Sequence, residues 1–158
     1  MLYRLALLLC LVTTPVAAED WRSYSNFRFG YAVELPEDFA VTHKADNGDG
    51  MALASTDSKA ELRVFGANRM EDDFTTEIKS RMALDKGEGW TISYQQSSKR
   101  GASYSGSRKD RILYVRAIPL CDATVGYFTL EYPQAQLKQY DPVIKRLVKT
   151  LVAPPRCQ

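Results

Sequence analysis

The sequence predicts an α+β domain, a mainly antiparallel sheet flanked by helices. Apolar residues alternate with period two along most of the chain, which is the pattern of strands with one buried face. Short turns join successive runs, and short turns enforce antiparallel pairing. The period lengthens to about 3.6 in two stretches, which predicts two helices to cover the sheet.

Residues 1–18 read as a signal peptide. Arg4 supplies a positive charge, residues 5–12 are an apolar run, and Ala17-Ala18 puts small residues where a signal peptidase cuts, so cleavage is expected after Ala18. The run is shorter than the roughly 20 apolar residues of a membrane-spanning helix, so no permanent anchor is expected. Cys10 follows Leu9, where a lipidation signal carries a small residue. The remaining residues, 19–158, form a single α+β domain without a Pro- or Gly-rich linker, expected in the periplasm or secreted.

Within it, Phe29, Tyr31, Val33 and Leu35 alternate along residues 28–36 and predict a strand, ended by Pro36, with which the later strands pair. Residues 21–27 are a lead-in expected to pair briefly with the sheet. Residues 39–44 predict the next strand, and Asp46-Asn47-Gly48-Asp49-Gly50 is a turn whose residues tolerate positive φ and bond their own backbone. Residues 51–55 and 60–67 follow as strands joined by Thr56-Asp57-Ser58-Lys59. Leu62 and Val64 share one face; Glu61, Arg63 and Phe65 share the other.

After Asp73, Phe74, Ile78 and Met82 recur at i, i+4 and i+8, with Leu84 alongside, and predict an amphipathic helix. Asp73 is its N-cap, Glu71-Asp72-Asp73 suits the positive end of the dipole, and Gly87 supplies the stop. Trp90, Ile92 and Tyr94 then fall on one face of a strand ending near Ser98. Lys99-Arg100-Gly101 turns the chain, residues 102–107 run back, and residues 108–111 turn it again. Residues 112–118 form a strand ended by Pro119, and residues 125–132 form the last, ended by Pro133. Asp141-Pro142 reads as an N-cap followed by proline at the first helical position, opening a helix whose stripe is Tyr140, Ile144, Leu147, Val148 and Leu151. Residues 54–59 and 104–109, each leading into a strand, hint at internal duplication.

With 45% apolar and 11% aromatic residues the chain has an ordinary globular composition. Its formal charge of +2 is too small to gather nucleic acid or an anionic membrane. The basic clusters Lys99-Arg100 and Arg108-Lys109-Arg111 sit on turns at opposite ends of a hairpin and would not form one groove, so nucleic acid is not an expected partner. Loss of the signal peptide leaves Cys121 and Cys157, an even pair in an oxidising compartment, which predicts a disulfide holding down the C-terminal tail. The alternative is two free thiols.

No catalytic constellation stands out, and no catalytic residue, resident cofactor or metal is assigned. His43 is the one histidine, too few for an imidazole-based metal site. No Gly-x-Ser-x-Gly, phosphate-cradling loop or dinucleotide fingerprint occurs. Counted as an EF-hand from Asp46, the alternate ligand positions hold Gly48 and Gly50, which favours the turn; a low-affinity calcium site of Asp46, Asp49 and Asp57 is the alternative.

Tyr24-Ser25-Asn26-Phe27-Arg28-Phe29-Gly30-Tyr31 leading to Leu35-Pro36, the Asn47-Gly48-Asp49-Gly50 turn, Tyr132-Pro133 and Tyr140-Asp141-Pro142 together resemble exported bacterial proteins of the PsbP-like or Mog-like sandwich. That fold serves an extrinsic photosystem subunit and a small-GTPase-binding protein. The resemblance implies a non-catalytic binding or assembly module whose partner is a protein or envelope component. The matched positions are strand starts and turns, so they transfer no ligand-binding residue. The alternative reading is a hydrolase or metal-dependent enzyme with an unfamiliar site around His43, Asp46 and Asp49.

Overall fold

A computed structural model describes residues 20–153 and 155. The expected cleavage point after Ala18 and the proposed bridging residue Cys157 lie outside the described residues. The strands are β1 Trp21–Ser25, β2 Ala32–Pro36, β3 Phe39–Lys44, β4 Gly50–Ser55, β5 Glu61–Asn68, β6 Thr91–Ser98, β7 Gly101–Arg108, β8 Arg111–Pro119 and β9 Thr124–Pro133. The helices are α1 Phe74–Gly87 and α2 Leu137–Thr150.

Seven strands form one antiparallel sheet in the order β3-β4-β5-β9-β8-β7-β6. Two three-stranded meanders thus flank β9. Their turns resemble each other: Ser58 and Lys109 both take positive φ, at 57° and 55°. The strand expected over residues 28–36 is shorter and pairs differently. β2 pairs with β1 in a separate hairpin, apart from an isolated bridge between Ala32 and Val152. Asn26 and Gly30 explain the shortening, because the Gly30 amide bonds the Asn26 carbonyl at 2.8 Å with Gly30 at φ 75°, and the chain turns there. Tyr31, Val33 and Leu35 are nevertheless buried, and Phe29 packs beside them.

Each sheet face carries its own core. On one, the β1–β2 hairpin and α2 cover Leu62, Val64, Phe128 and Leu130, together with Leu53. On the other, α1 sets Phe74, Ile78 and Met82 against Tyr104, Val115 and Tyr127. Leu62/Val64 against Phe65, and Phe128/Leu130 against Tyr127, separate as strand alternation requires.

Asp73 caps α1 as expected, its carboxylate accepting from the Thr75 and Thr76 amides at 2.8 and 3.0 Å. The hydroxyl of Thr76 also donates to it, and these bonds hold its pKa below the ordinary 3.8. A group depressed by folding stabilises above its unfolded value and loses that contribution as pH falls through the folded one. Asp73→Ala is therefore expected to lower the melting temperature at pH 7, and the gap to the parent protein should close between pH 4 and the lower folded value; thermal melts across that range would show it.

Gly87 does not stop α1. The helix includes it, and the chain turns at Gly89, φ 93°, whose amide bonds the Lys86 carbonyl at 3.0 Å. Leu84 is 65% exposed because the inward position of the last turn belongs to Asp85. Tyr94 is likewise turned outward: a bulge between Ile92 and Tyr94 puts these residues opposite the adjacent Gly106 and Ser105, so they no longer share a face.

Asp141 is not an N-cap. A 3-10 turn, Gln134–Gln136, feeds directly into α2, and Pro142 sits inside the helix. There it withholds the amide that the Lys138 carbonyl would accept, at a position exposed to solvent. Asp141 pairs instead with Lys145 at 3.3 Å. Val143 joins the expected apolar stripe, and α2 is pinned to the hairpin by Arg146, which meets Glu34 at 2.7 Å and covers the Trp21 ring.

Candidate functional groove

Helix α1 covers only part of its face of the sheet. Between its C-terminal half and the β3–β4 edge lies an open groove of about 870 Å³. Its floor is made by residues of β4, β5, β8 and β9 that point to the α1 side, among them Ala52, Arg63, Val115 and Thr129. One wall carries Arg81, Asp85, Trp90 and Arg108; the other carries Thr42, His43 and Asp49.

Buried Asn26 fixes the far wall. Its side-chain amide donates to the Gly48 and Asp49 carbonyls at 2.9 and 3.2 Å, while its side-chain oxygen accepts from the Phe29 amide at 2.9 Å. The β3–β4 turn is thereby tied to the hairpin. Its own chemistry is that expected of an Asx-rich turn: Gly48 takes φ 78°, the Asp49 amide donates to the Asn47 side chain at 3.2 Å, and Arg28 pairs with Asp49 at 3.1 Å.

The near wall is built on buried aromatic rings. The Arg108 guanidinium stacks 4.4 Å from the centre of Trp90 and donates to the Glu88 carbonyl at 3.1 Å. Arg81 lies over Phe65 and Tyr127 at 5.6 and 5.7 Å, and those two rings stack on each other at 5.0 Å. Between them, Asp85 accepts from the buried Tyr104 hydroxyl at 2.5 Å. Burial, then the bond to Asp85, pushes the Tyr104 pKa far above 10, so its proton stays on the phenol. Tyr104→Phe would leave a buried carboxylate oxygen without its donor, and urea denaturation is expected to register a loss of about 1–3 kcal/mol.

Acidic groups on the floor are already matched. Glu61 and Glu131 face each other across β5 and β9, a like-charge pair that would repel. Arg63 neutralises Glu61, and Arg111 holds Glu131 at 3.0 Å.

The structure brings His43 and Asp49 to the same groove, where Asp46 is not among the lining residues. Among the described residues His43 makes no hydrogen bond to Asp46, Asp49 or a hydroxyl, so it lacks the base-to-nucleophile link of a hydrolase. Asp57 belongs to the β4–β5 turn, at the other end of β4 and about 20 Å along the strand from Asp49. Its Oδ1 accepts from the Ser55 hydroxyl at 2.7 Å and the Lys59 amide at 3.1 Å, and its Oδ2 accepts from the Gln136 side chain at 3.4 Å, bonds that lower its pKa. Asp46, Asp49 and Asp57 therefore do not form one calcium site. Among the described residues no group of three or more His, Cys, Asp or Glu side chains is placed to hold a metal ion, and no helix is long and apolar enough to cross a membrane.

The arrangement of sheet, hairpin and helices has counterparts among solved structures. The solution structure of a cyanobacterial PsbP, CyanoP from Synechocystis, matches with TM-score 0.59 and 10% identity, over 89% of this chain and 96% of that one. The crystal structure of Mog1p, a Ran-binding protein from Saccharomyces cerevisiae, matches with TM-score 0.63 and 8% identity, over 85% and 96%. The chain has the PsbP and Mog1p fold. At these identities the PsbP and Mog1p likeness is one of fold alone. No family model matches the sequence, and no curated protein matches it.

Sequence reading placed Arg108 on a solvated basic turn and gave no role to Arg81, Asp85 or Phe65. Phe65 and Tyr127 meet through a pairing distant in sequence, β5 with β9, while the β6–β7 hairpin brings Arg108 to Trp90 locally; α1 then places Arg81 and Asp85 against them. The one local signal was an acidic residue, Asp85, at the inward spacing three residues after Met82.

Proposed function

We propose that this chain is an exported, periplasmic module that binds a protein or envelope component in the groove and performs no catalysis of its own. The observation that carries the reading is the groove's state: a wide, open concavity in which, among the described residues, no nucleophile is linked to a base. Mog1p, described as Ran-binding, is an instance of this fold engaging a protein. Export rests on the leader reading of residues 1–18, and the tail is held by a Cys121–Cys157 bridge.

The test is affinity capture from an envelope extract, with the purified protein as bait. A partner retained by the parent and lost from Ala52→Arg, which fills the floor, supports docking; a small molecule that raises the melting temperature, with no protein captured, would sink it. The leader is checked by the mass of the protein recovered after export, which should begin at Glu19. Cys121→Ser/Cys157→Ser is expected to cost about 2–4 kcal/mol in chemical denaturation and to expose the tail to protease.

A further inference from the structure

Among the described residues the arginines lying over aromatic rings are Arg28, Arg81, Arg108 and Arg146, and the two of the groove differ from the other two in their partners. Arg63 and Arg111 are committed to Glu61 and Glu131, Arg28 to Asp49, and Arg146 to Glu34. Arg81 and Arg108 form no ion pair with a carboxylate among the described residues, yet neither is a loose surface side chain. Each is half-buried, with its guanidinium carbon within about 6 Å of the centre of a buried or half-buried ring. A guanidinium held over a ring has already lost much of the side-chain freedom that binding would remove, and with five N–H donors Arg108 keeps others to offer after the one it gives to the Glu88 carbonyl. Both line the same wall of one concavity.

We infer that this wall is an acceptor for carboxylates: an acidic segment of the partner protein docks with an Asp or Glu side chain against the Arg81 and Arg108 guanidiniums. The inference deepens the docking reading and rests on it. Charge decides between carboxylate and phosphate. The carboxylates of Asp85 and Glu88 lie on the same side of the groove and, among the described residues, form no ion pair with an arginine, so the local field tolerates one added negative charge better than the nearly two of a phosphate. A planar monoanion also matches the fork of a guanidinium with two parallel hydrogen bonds.

Trp90 makes the idea measurable. The chain has two tryptophans, so Trp21→Phe leaves Trp90, under Arg108, as the sole indole reporter. That protein is titrated with capped peptides containing Glu-Glu, with the same peptides carrying Gln-Gln, and with inorganic phosphate. The expected result is a saturable change in Trp90 emission with the Glu peptides alone, weakened at least tenfold by Arg81→Gln and by Arg108→Gln, and weakened on raising salt. Arg108→Lys, which keeps charge but loses the planar fork, should fall between. Melting temperatures within a few degrees of the parent would show that the variants fold.

Equal responses to Glu and Gln peptides, or none, would overturn the inference, and a response to phosphate alone would reassign the wall to phosphate. The capture experiment separates this from the reading beneath it. A partner still captured by Arg81→Gln/Arg108→Gln removes the carboxylate anchor and leaves docking intact. Glu peptides bound through both arginines with no partner captured would leave the carboxylate site and remove the docking module.

Discussion

Phe128→Ala is expected to remove about 3–5 kcal/mol of folding stability, the range for truncating a fully buried aromatic side chain. Phe128 has no solvent exposure, stands on the central strand β9, and stacks on Tyr114 with ring centres 6.0 Å apart. Its neighbours Leu62, Val64 and Leu130 belong to strands paired on both sides, so the cavity has little means of collapse. Domains of this kind are stable by roughly 5–15 kcal/mol, so the loss is a third or more of the total at the lower end of that range. A fall of roughly 10–20 °C in melting temperature is the expected readout. A fall of only a degree or two would mean that β9 is not the packed centre of the sheet.

Gly50→Ala is expected to cost about 3 kcal/mol or more, although it adds a single methyl group. A Cβ at Gly50 would stand 2.0 Å from the Val64 carbonyl oxygen and 2.7 Å from the Phe65 Cα, both backbone atoms of the paired strand β5. Side chains can swing aside; a ladder can relieve the overlap only by separating β4 from β5. The Gly50 carbonyl also accepts from the Ala45 amide at 3.0 Å, so the displacement would pass into the β3–β4 turn and move the groove wall that carries Asp49. The variant should therefore lose both stability, by urea denaturation, and any partner captured by the parent. Parental stability in Gly50→Ala would contradict the close β4–β5 approach.

Where the sequence was readable, a single local requirement dominated. β3 ends where the following Asx-rich turn puts it, and α1 is capped by Asp73 because an acceptor side chain and a change of period coincide there. Misreadings arose where a second pairing outweighed the local signal. Asp141-Pro142 carries the features of a helix start, but Tyr140 is packed in the core and the preceding Gln134–Gln136 turn is tied to the Asp110 carbonyl by the Gln134 amide at 2.7 Å, and the helix enters from there. The bulge that turns Tyr94 outward depends on the register with β7, and nothing in Thr91 to Tyr94 by itself encodes it. Association of β2 with β1 rather than with the large sheet was hidden for the same reason. The groove was the least legible part, because what defines it is the portion of a sheet face that α1 fails to reach.

The place of β9 between the two meanders bears on how the chain is assembled. β3-β4-β5 and β6-β7-β8 each close through neighbouring turns and need little chain to find their pairs, but no strand of one pairs with a strand of the other; β9, the last strand made, lies between them. Until Thr124–Pro133 is available, β5 and β8 each present a long row of unpaired backbone donors and acceptors, flanked by apolar side chains. A chain interrupted ahead of Thr124 would thus carry two adhesive borders that the finished protein never displays. Synthesis of ten residues seals both together, which makes the interval before their arrival the period in which this molecule most needs a chaperone.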